Sequence, residues 1–196
     1  MQVILVSGKK RSGKNFVGDL IKEHLESKNF RVKTMAYADS LKDIICKSLD
    51  LQLEDLENLK NNKVKIYAGI TNENYGSALV NYVEISDFRL LLQKFATEGM
   101  RATFGEDVWV KAMKKKLKAI QDDYDYVVIT DWRFKVEAKL PEKYNVMKVR
   151  VDSDQADFND SHRSETELDN YEFDFRINNS NHPSKEKLLD TISKMF

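Results

Sequence analysis

The amino-terminal stretch constrains this chain more than any other part of it. Val3, Ile4, Leu5 and Val6 form a contiguous apolar run, which predicts a short strand buried on both faces. It runs straight into Ser7-Gly8-Lys9-Lys10-Arg11-Ser12-Gly13-Lys14, and helical periodicity begins at once beyond. Val17, Leu20, Ile21, His24 and Leu25 fall at i, i+3, i+4, i+7 and i+8, one face of a helix. Gly8 to Lys14 satisfies G-x-x-x-x-G-K in the context that gives the pattern physical meaning, after a strand and ahead of a helix. Its glycines let the backbone curl so that successive N–H groups point inward, and the helix N-terminus adds the positive end of a dipole. Gly8, Lys10, Arg11, Ser12, Gly13 and Lys14 are therefore candidates for cradling nucleotide phosphates, with Lys14 reaching the β- and γ-phosphates. The plain alternative is a basic turn with no ligand, and the strand–turn–helix context weighs against it.

Composition narrows the field of partners. A chain of 196 residues with 41% hydrophobic side chains can bury one substantial core. Its 32 Lys+Arg balance 32 Asp+Glu, which argues against a protein whose main task is neutralising polymeric nucleic acid but leaves room for a small basic pocket. Cys46 stands alone, so no intrachain disulfide forms, as fits a reducing cytoplasm. One Cys with His24, His162 and His182 makes a poor zinc cage. No apolar run approaches the ~20 residues that span a bilayer, and no basic region leads into a long apolar stretch as in a secretory signal. The expectation is a soluble, cytoplasmic chain with no membrane partner.

Further along, strand and helix patterns alternate. Residues 30–37 (FRVKTMAY) read as a second strand, and Asp39 or Ser40 as the cap of a helix with Leu41, Ile44, Ile45 and Leu49 inside. Leu53, Leu56 and Leu59 predict a short helix broken by Asn61-Asn62, and residues 69–76 read as loop. Residues 51–86 are accordingly taken as an insertion carrying substrate contacts. Ser86 reads as the cap of a helix containing Phe88, Leu91, Leu92 and Phe95, Gly99 and Gly105 bracket a turn, and Trp109, Ala112, Met113, Lys116, Leu117 and Ile120 form another stripe. Residues 126–130 are apolar on both faces and end in Asp131, as a central strand of a parallel sheet requires. Residues 145–151 and 173–177 are two more strand candidates, and the acidic stretch between them, 152–172, reads as a mobile surface segment. Ser184 caps a closing helix with Leu188, Leu189, Ile192 and Met195. Such alternation implies an α/β sheet with right-handed crossovers.

Several side chains suit phosphate chemistry. Asn15 stands where Ser or Thr would ligate Mg²⁺; its amide oxygen can still hold a metal-bound water, so Mg²⁺ is expected to come with ATP. Asp131 stands where a Walker-B-type carboxylate belongs, which makes Asn15 and Asp131 the candidate metal residues. Asp39 is a rival metal or base position and equally a helix cap. A switch GTPase is disfavoured, because Asp131-Trp132-Arg133-Phe134 fails D-x-x-G and Asn62-Lys63-Val64-Lys65 fails N-K-x-D. A small kinase needs arginines on the acceptor phosphate and a lid that excludes water. Arg89, Arg101, Arg133 and Arg163 are available, and Arg133 is the best placed, just past a strand whose C-terminal end lines the crevice of an α/β sheet. Lys114-Lys115-Lys116 reads as a solvated helix face, Cys46 as a small core residue and Trp109 as packing, while Trp132 could also stack on a base.

The stretch VSGKKRSGKN at residues 6–15 resembles the phosphate loop of the bacteriophage deoxynucleoside monophosphate kinases, S-G-x-K-R-S-G-K-D, with Asn15 in place of the family's Asp. The resemblance continues in Arg89-Leu90-Leu91-Leu92-Gln93, in Trp109-Val110-Lys111, in Asp131-Trp132-Arg133 and from Ser164-Glu165 to Asn178-Asn179; residues 51–86 carry none of it. It implies a three-layer P-loop NTPase fold with five parallel strands in the order 2-3-1-4-5. That fold forms a single domain over 1–196, with a helical substrate-binding insertion near 51–86 and a lid near 152–172. The activity it implies is transfer of the ATP γ-phosphoryl group to a deoxynucleoside 5′-monophosphate with Mg²⁺, in the host cytoplasm if phage-encoded. Lys14, Arg133, Arg163 and Asp131 would then be catalytic. Asp39, Lys42, Arg89, Gln93, Trp109 and Arg133 would contact the acceptor, and Asn178 and Asn179 would lie near the donor adenine; unaided, that Asn pair reads as a turn. Animal-type phosphomevalonate kinases share a similar loop, D-x-R and tail (Leu168-Asp169-Asn170-Tyr171), so a kinase of another small phosphorylated acceptor is the second reading. A nucleotide-binding module without turnover is the third, with Asn15 as its sign. A homodimer is compatible with the sequence.

Overall fold

Residues 1–61, 65–70 and 81–196 are described by the computed structural model, side chains at 60–87 and 89 aside. Along the chain run β1 (Gln2–Ser7), α1 (Lys14–Ser27), β2 (Val32–Met35), α2 (Ala38–Leu49), α3 (Leu53–Asn61), β3 (Lys65–Ile70), β4 (Asn81–Asp87) and α4 (Phe88–Lys94). A π-helical turn (Phe95–Arg101) leads into α5 (Ala102–Phe104), followed by α6 (Val108–Ile120), β5 (Tyr126–Trp132), β6 (Val146–Asp152), α7 (Arg163–Thr166), β7 (Phe175–Asn178) and α8 (Lys185–Ser193). These elements divide into two compact units, residues 1–39 with 109–196, and residues 40–108. The second is wider at both ends than the insertion expected at 51–86.

The first unit is built on one five-stranded sheet in the order β2-β5-β1-β6-β7, every pair parallel. Ranked by position within this sheet, that is 2-3-1-4-5, the expected order. The apolar run of β1 takes the centre: Val3 pairs with Val127 on one side and Val146 on the other. Val3, Ile4, Leu5 and Val6 are all fully buried, so both faces of the strand are covered. Ile4, Val6, Val128, Val149 and Ile177 pack in one core with Val17, Leu20, Ile21 and Leu25 of α1 and with Leu188 and Ile192 of α8. Each such aliphatic side chain contributes about 1.5–3 kcal/mol through burial. Asn29, in the left-handed region at φ 64°, ends α1, and the Phe30 N–H returns to the Leu25 carbonyl at 3.2 Å.

The second unit departs from the sequence reading. Its α3 is the helix that Leu53, Leu56 and Leu59 predict, with Leu56 fully buried. The rest is not the purely helical insertion expected, because β3 and β4 pair antiparallel from Lys65 with Asp87 to Ile70 with Asn81. Gly69 and Ile70 end a strand instead of opening a loop; residues 71–76 of the expected loop lie outside the described residues. Ser86 pairs with Ile66 within the hairpin, so it does not cap α4, whose buried face is Phe88 and Leu92. Apolar runs this short carry no period that separates strand from helix. Gly99 lies inside the π-helical turn and does not bracket a turn; there Thr97 Oγ1 donates to the Gln93 carbonyl, and the buried Arg101 donates to the Glu106 carbonyl. Gly105 ends α5 at φ +97°, a conformation that favours glycine. No helix among the described residues is long and apolar enough to cross a membrane.

Candidate active site

The site grows from the curl between β1 and α1. A Cβ on Gly8 would lie 2.4 Å from Ser12 Oγ and 2.7 Å from the Val151 carbonyl oxygen, so only glycine lets the chain pass so close to β6. Gly13 has φ +86°, and a Cβ there would lie 2.3 Å from Asn179 Nδ2. That amide donates to the Ser12 carbonyl at 3.0 Å, while the Asn179 backbone N–H donates to the Asp152 carbonyl at 2.7 Å. The curl is thus braced from the residue that follows β7. Arg11, at φ 65°, turns the chain, and the Ser12 N–H closes the loop on the Lys9 carbonyl at 3.1 Å. Lys14 is buried at the first position of α1, its ammonium donating to the same Lys9 carbonyl at 2.7 Å. The Ser12 hydroxyl is fully buried, and no group among the described residues hydrogen-bonds it.

The acidic segment 152–172, expected to be mobile, is laced to this curl. Glu165 is buried; its Oε2 accepts the Lys10 N–H at 2.8 Å, its Oε1 pairs with Arg133 Nη1, and its backbone carbonyl accepts Lys9 Nζ at 3.1 Å. Asp169 accepts Lys9 Nζ at 2.8 Å and Arg150 Nη2 at 3.1 Å. Arg150 is a buried arginine in β6 whose Nη1 also reaches Ser7 Oγ at 3.3 Å. The Asp157 N–H donates to the Lys10 carbonyl at 2.9 Å, and its carboxylate lies 3.3 Å from Lys10 Nζ. The Asn159 N–H, first, and Lys10 hold the Asp157 carboxyl below the usual range. These carboxylates are solvated in a sequence-only view, yet they neutralise the basic loop, and Leu168 anchors the segment by burial.

At the end of β5, Asp131 accepts the N–H groups of Tyr37 at 2.7 Å and Ala38 at 2.9 Å, one on each oxygen. It fastens the junction of β2 and α2 to the sheet. Burial pushes this carboxyl up, against the Ala38 and Tyr37 N–H groups and the charge of Arg133. Asp39 lies inside the first turn of α2, and its carboxylate reaches back to the Ala36 N–H at 2.8 Å, a capping contact. The backbone N–H groups of Arg133 and Phe134 both donate to the buried Glu137 carboxylate, at 2.9 and 3.0 Å. Glu137 therefore sets where the Arg133 side chain leaves the strand. Arg163 opens α7, pairs with Glu167 at 2.5 Å and lies 5.4 Å over the Phe134 ring.

Gly8, Lys10, Arg11, Ser12, Gly13, Lys14, Arg133 and Asn179 come together around one curl, with Arg163 two residues from Glu165. Asn178 is exposed and accepts the Ser180 N–H at 2.8 Å, the simple turn. Trp109 is buried on α6, the packing position. Lys42, Arg89 and Gln93 belong to the second unit: Lys42 pairs with Glu57 at 2.7 Å, Gln93 is half-buried on α4, and the Arg89 side chain lies outside the described residues. Asn15 is exposed, and each Asp131 oxygen accepts one N–H group. Among the described residues no group of three or more His, Cys, Asp or Glu side chains could hold a metal ion. Glu165, Asp169, Arg150 and Glu137 escape the sequence reading. Arg150 alone had a signal, a charge set between valines in a strand candidate. Beside the curl lies a cleft of about 260 Å³ lined by Lys9, Arg150, Asp152, Phe158 and Ser180 among others.

Residues 51–192 match the family model for deoxynucleotide monophosphate kinase. The match takes in residues 51–86, where the motifs show no resemblance, and begins beyond the phosphate loop, so the two observations are separate. No curated protein sequence matches the chain. Among solved structures the chain is similar to the unliganded crystal structure of a sugar kinase from Janibacter sp. HTCC2649, at 12% identity and a TM-score of 0.47, over 97% of this chain and 91% of that one. With the family model spanning most of its length, the chain belongs to the deoxynucleotide monophosphate kinase family.

Proposed function

We propose that this nucleotide monophosphate kinase takes its phosphoryl group from ATP, and that residues 8–14 hold the donor phosphates. The observation that carries this reading is that the curl already binds an oxyanion, the Glu165 carboxylate on the Lys10 N–H. In the reaction an ionised oxygen of the acceptor monophosphate attacks the γ-phosphorus, and the bond from that phosphorus to the departing ADP oxygen breaks. The nucleophile needs no strong base, so the work of the chain is positioning and charge neutralisation. Lys14 leaves the Lys9 carbonyl for the donor phosphates, Arg133 meets the acceptor phosphate, and Arg163 joins them from α7. Lys42, Arg89 and Gln93 of the second unit are proposed as acceptor contacts. Asn179 braces the loop, and the cleft beside Phe158, whose ring is 68% exposed, offers stacking surface for the donor base. Asp131 positions the β2–α2 junction. Mg²⁺ would screen phosphate charge and would arrive bound to ATP. A small nucleotide instead of a nucleic-acid chain as acceptor, and a reducing cytoplasm as the setting, agree with the zero formal charge and the lone Cys46.

A coupled assay with ATP, Mg²⁺ and a panel of deoxynucleoside monophosphates, ribonucleoside monophosphates and phosphomevalonate tests the reading. ADP release that depends on a deoxynucleoside monophosphate is expected. Release with phosphomevalonate alone, or with no acceptor at all, would overturn it.

A further inference from the structure

Arg133 leaves the end of β5 at a point where the backbone is pinned on both sides. Trp132 before it and Phe134 after it are both buried, which leaves the main chain little room to slide. The 3₁₀ turn Lys135–Ala138 then folds back beneath it. The Glu137 N–H returns to the Phe134 carbonyl at 2.9 Å, and Trp132 Nε1 donates to that same carbonyl at 2.9 Å. The Glu137 carboxylate completes the knot, because its Oε2 accepts the N–H groups of both Arg133 and Phe134. From the other side the Tyr37 hydroxyl donates to the Glu137 carbonyl at 2.5 Å, while the Tyr37 N–H is held by Asp131. Glu137 is only 2% exposed. Burying a carboxylate is costly unless its oxygens are hydrogen-bonded, and a four-residue turn closes through its backbone without one. What the carboxylate fixes is the main chain of Arg133, whose guanidinium Glu165 holds beside the curl.

We propose that Glu137 is a positioning residue of the kinase reaction and acts through Arg133. By taking two successive N–H groups on one oxygen, it sets the Cα of Arg133 and the direction in which the side chain departs. The guanidinium then meets the acceptor phosphate from a fixed base once Glu165 releases it. Tyr37 stiffens the same anchor from the β2–α2 junction. This rests on the reading that Arg133 binds the acceptor phosphate, and it adds a buried group that touches neither substrate. Such anchoring matters because a misplacement of about 1 Å at a reacting centre costs on the order of a hundredfold in rate.

The test measures kcat and both KM values, for ATP and a deoxynucleoside monophosphate, in Glu137→Asp, Glu137→Gln and Tyr37→Phe. Each is made alone and together with Arg133→Ala. Aspartate keeps the charge and loses the reach, whereas glutamine keeps an oxygen at the same reach and loses the charge. Glu137→Asp is expected to lower kcat about tenfold to a hundredfold and to raise the acceptor KM, while KM for ATP holds. Glu137→Gln should recover most of that loss, and Tyr37→Phe should show a milder form of it. With Arg133→Ala present, all three should change kcat by less than about twofold, because the group they position is gone. Wild-type kinetics in Glu137→Asp overturn the proposal. The reverse order, an active Glu137→Asp and an impaired Glu137→Gln, assigns the effect to charge and overturns it as well. Losses equally large with and without Arg133 show a general structural role and do the same. If Glu137→Asp does not fold, Tyr37→Phe decides: an unchanged kcat, or a loss that persists without Arg133, overturns the proposal. A wild-type protein without acceptor-dependent ADP release, or an Arg133→Ala variant at wild-type turnover, overturns the reading beneath it too.

Discussion

The carboxylate of Glu165 and the backbone N–H of Lys10 meet at 2.8 Å across 155 positions of sequence. An acidic side chain from the segment after β6 thus takes one of the amide donors a phosphate would need. The same carboxylate holds Arg133, the arginine we propose for the acceptor phosphate. Phosphate binding and attachment of α7 to the loop are therefore alternatives that compete for the same donors.

Glu165→Ala should shift that competition. Removing the carboxylate frees the Lys10 N–H and takes one partner from Arg133, so ATP affinity is expected to rise several-fold by titration calorimetry. The protein without nucleotide should lose about 1–3 kcal/mol, because Arg133 is left partly buried beside an unpaired amide. Denaturant unfolding measures that loss. Weaker ATP binding together with unchanged stability would contradict the competition.

Lys14→Ala and Arg133→Ala should each lower kcat by about a hundredfold or more, the scale for removing one preorganised donor from a charge-developing site. The fold should survive both, since neither side chain lies among the buried apolar groups of the sheet core. Arg163→Ala should cost less, because its side chain is half exposed, with Glu167 and the Phe134 face among its contacts. Steady-state kinetics alongside circular dichroism would show a near-wild-type turnover if these assignments are wrong.

Gly13 and Asn179 should be coupled. Gly13→Ala incurs about 1–2 kcal/mol for a left-handed backbone and a further penalty from the contact with Asn179 Nδ2 at 2.3 Å. Asn179→Ala removes the contact, so Gly13→Ala should cost less in that background than in wild type. A double-mutant cycle on unfolding free energy reads the difference, and strict additivity would show that the brace does not bear on the loop.

Asp131 gives the fold an unusual pH response. Its carboxyl is raised in the folded state, so the folded protein binds that proton more tightly than the unfolded chain. The stability it contributes is greatest below the ordinary aspartate range and is lost as pH rises through the folded value. The advantage of wild type over Asp131→Asn should therefore shrink as pH rises from acid toward neutrality. Asp157 acts in the opposite sense: its carboxyl is lowered, so its contribution is present above the ordinary range and lost as pH falls through the folded value. Unfolding curves at several pH values separate the two, and an advantage for wild type that grows with pH would reject the Asp131 assignment.

The sheet was legible because β1 and β5 are apolar on both faces. Val3 to Val6 and Val127 to Ile129 leave no polar edge that a surface helix could use. The phosphate loop was legible because its pattern is contiguous. What stayed hidden depends on partners far away in sequence. Nothing local distinguishes Glu165 and Asp169 from the solvated carboxylates around them, since only the folded chain brings Lys9 and Lys10 against them. Asp131 was ambiguous for a related reason: a carboxylate at a strand's end can serve a metal or a helix N-terminus, and the Tyr37 and Ala38 N–H groups it accepts lie more than 90 positions away. The β3–β4 hairpin was missed because neither KIYAGI nor NYVEISD alternates cleanly between apolar and polar.

The brace from Asn179 to the Ser12 carbonyl carries a consequence for biosynthesis. The motif leaves the ribosome well before the residue that braces its curvature, which lies 167 positions further along the chain. A nascent chain that stops short of that asparagine carries the glycines and the lysine without their clasp, and on this reading nucleotide capture waits until that asparagine has emerged.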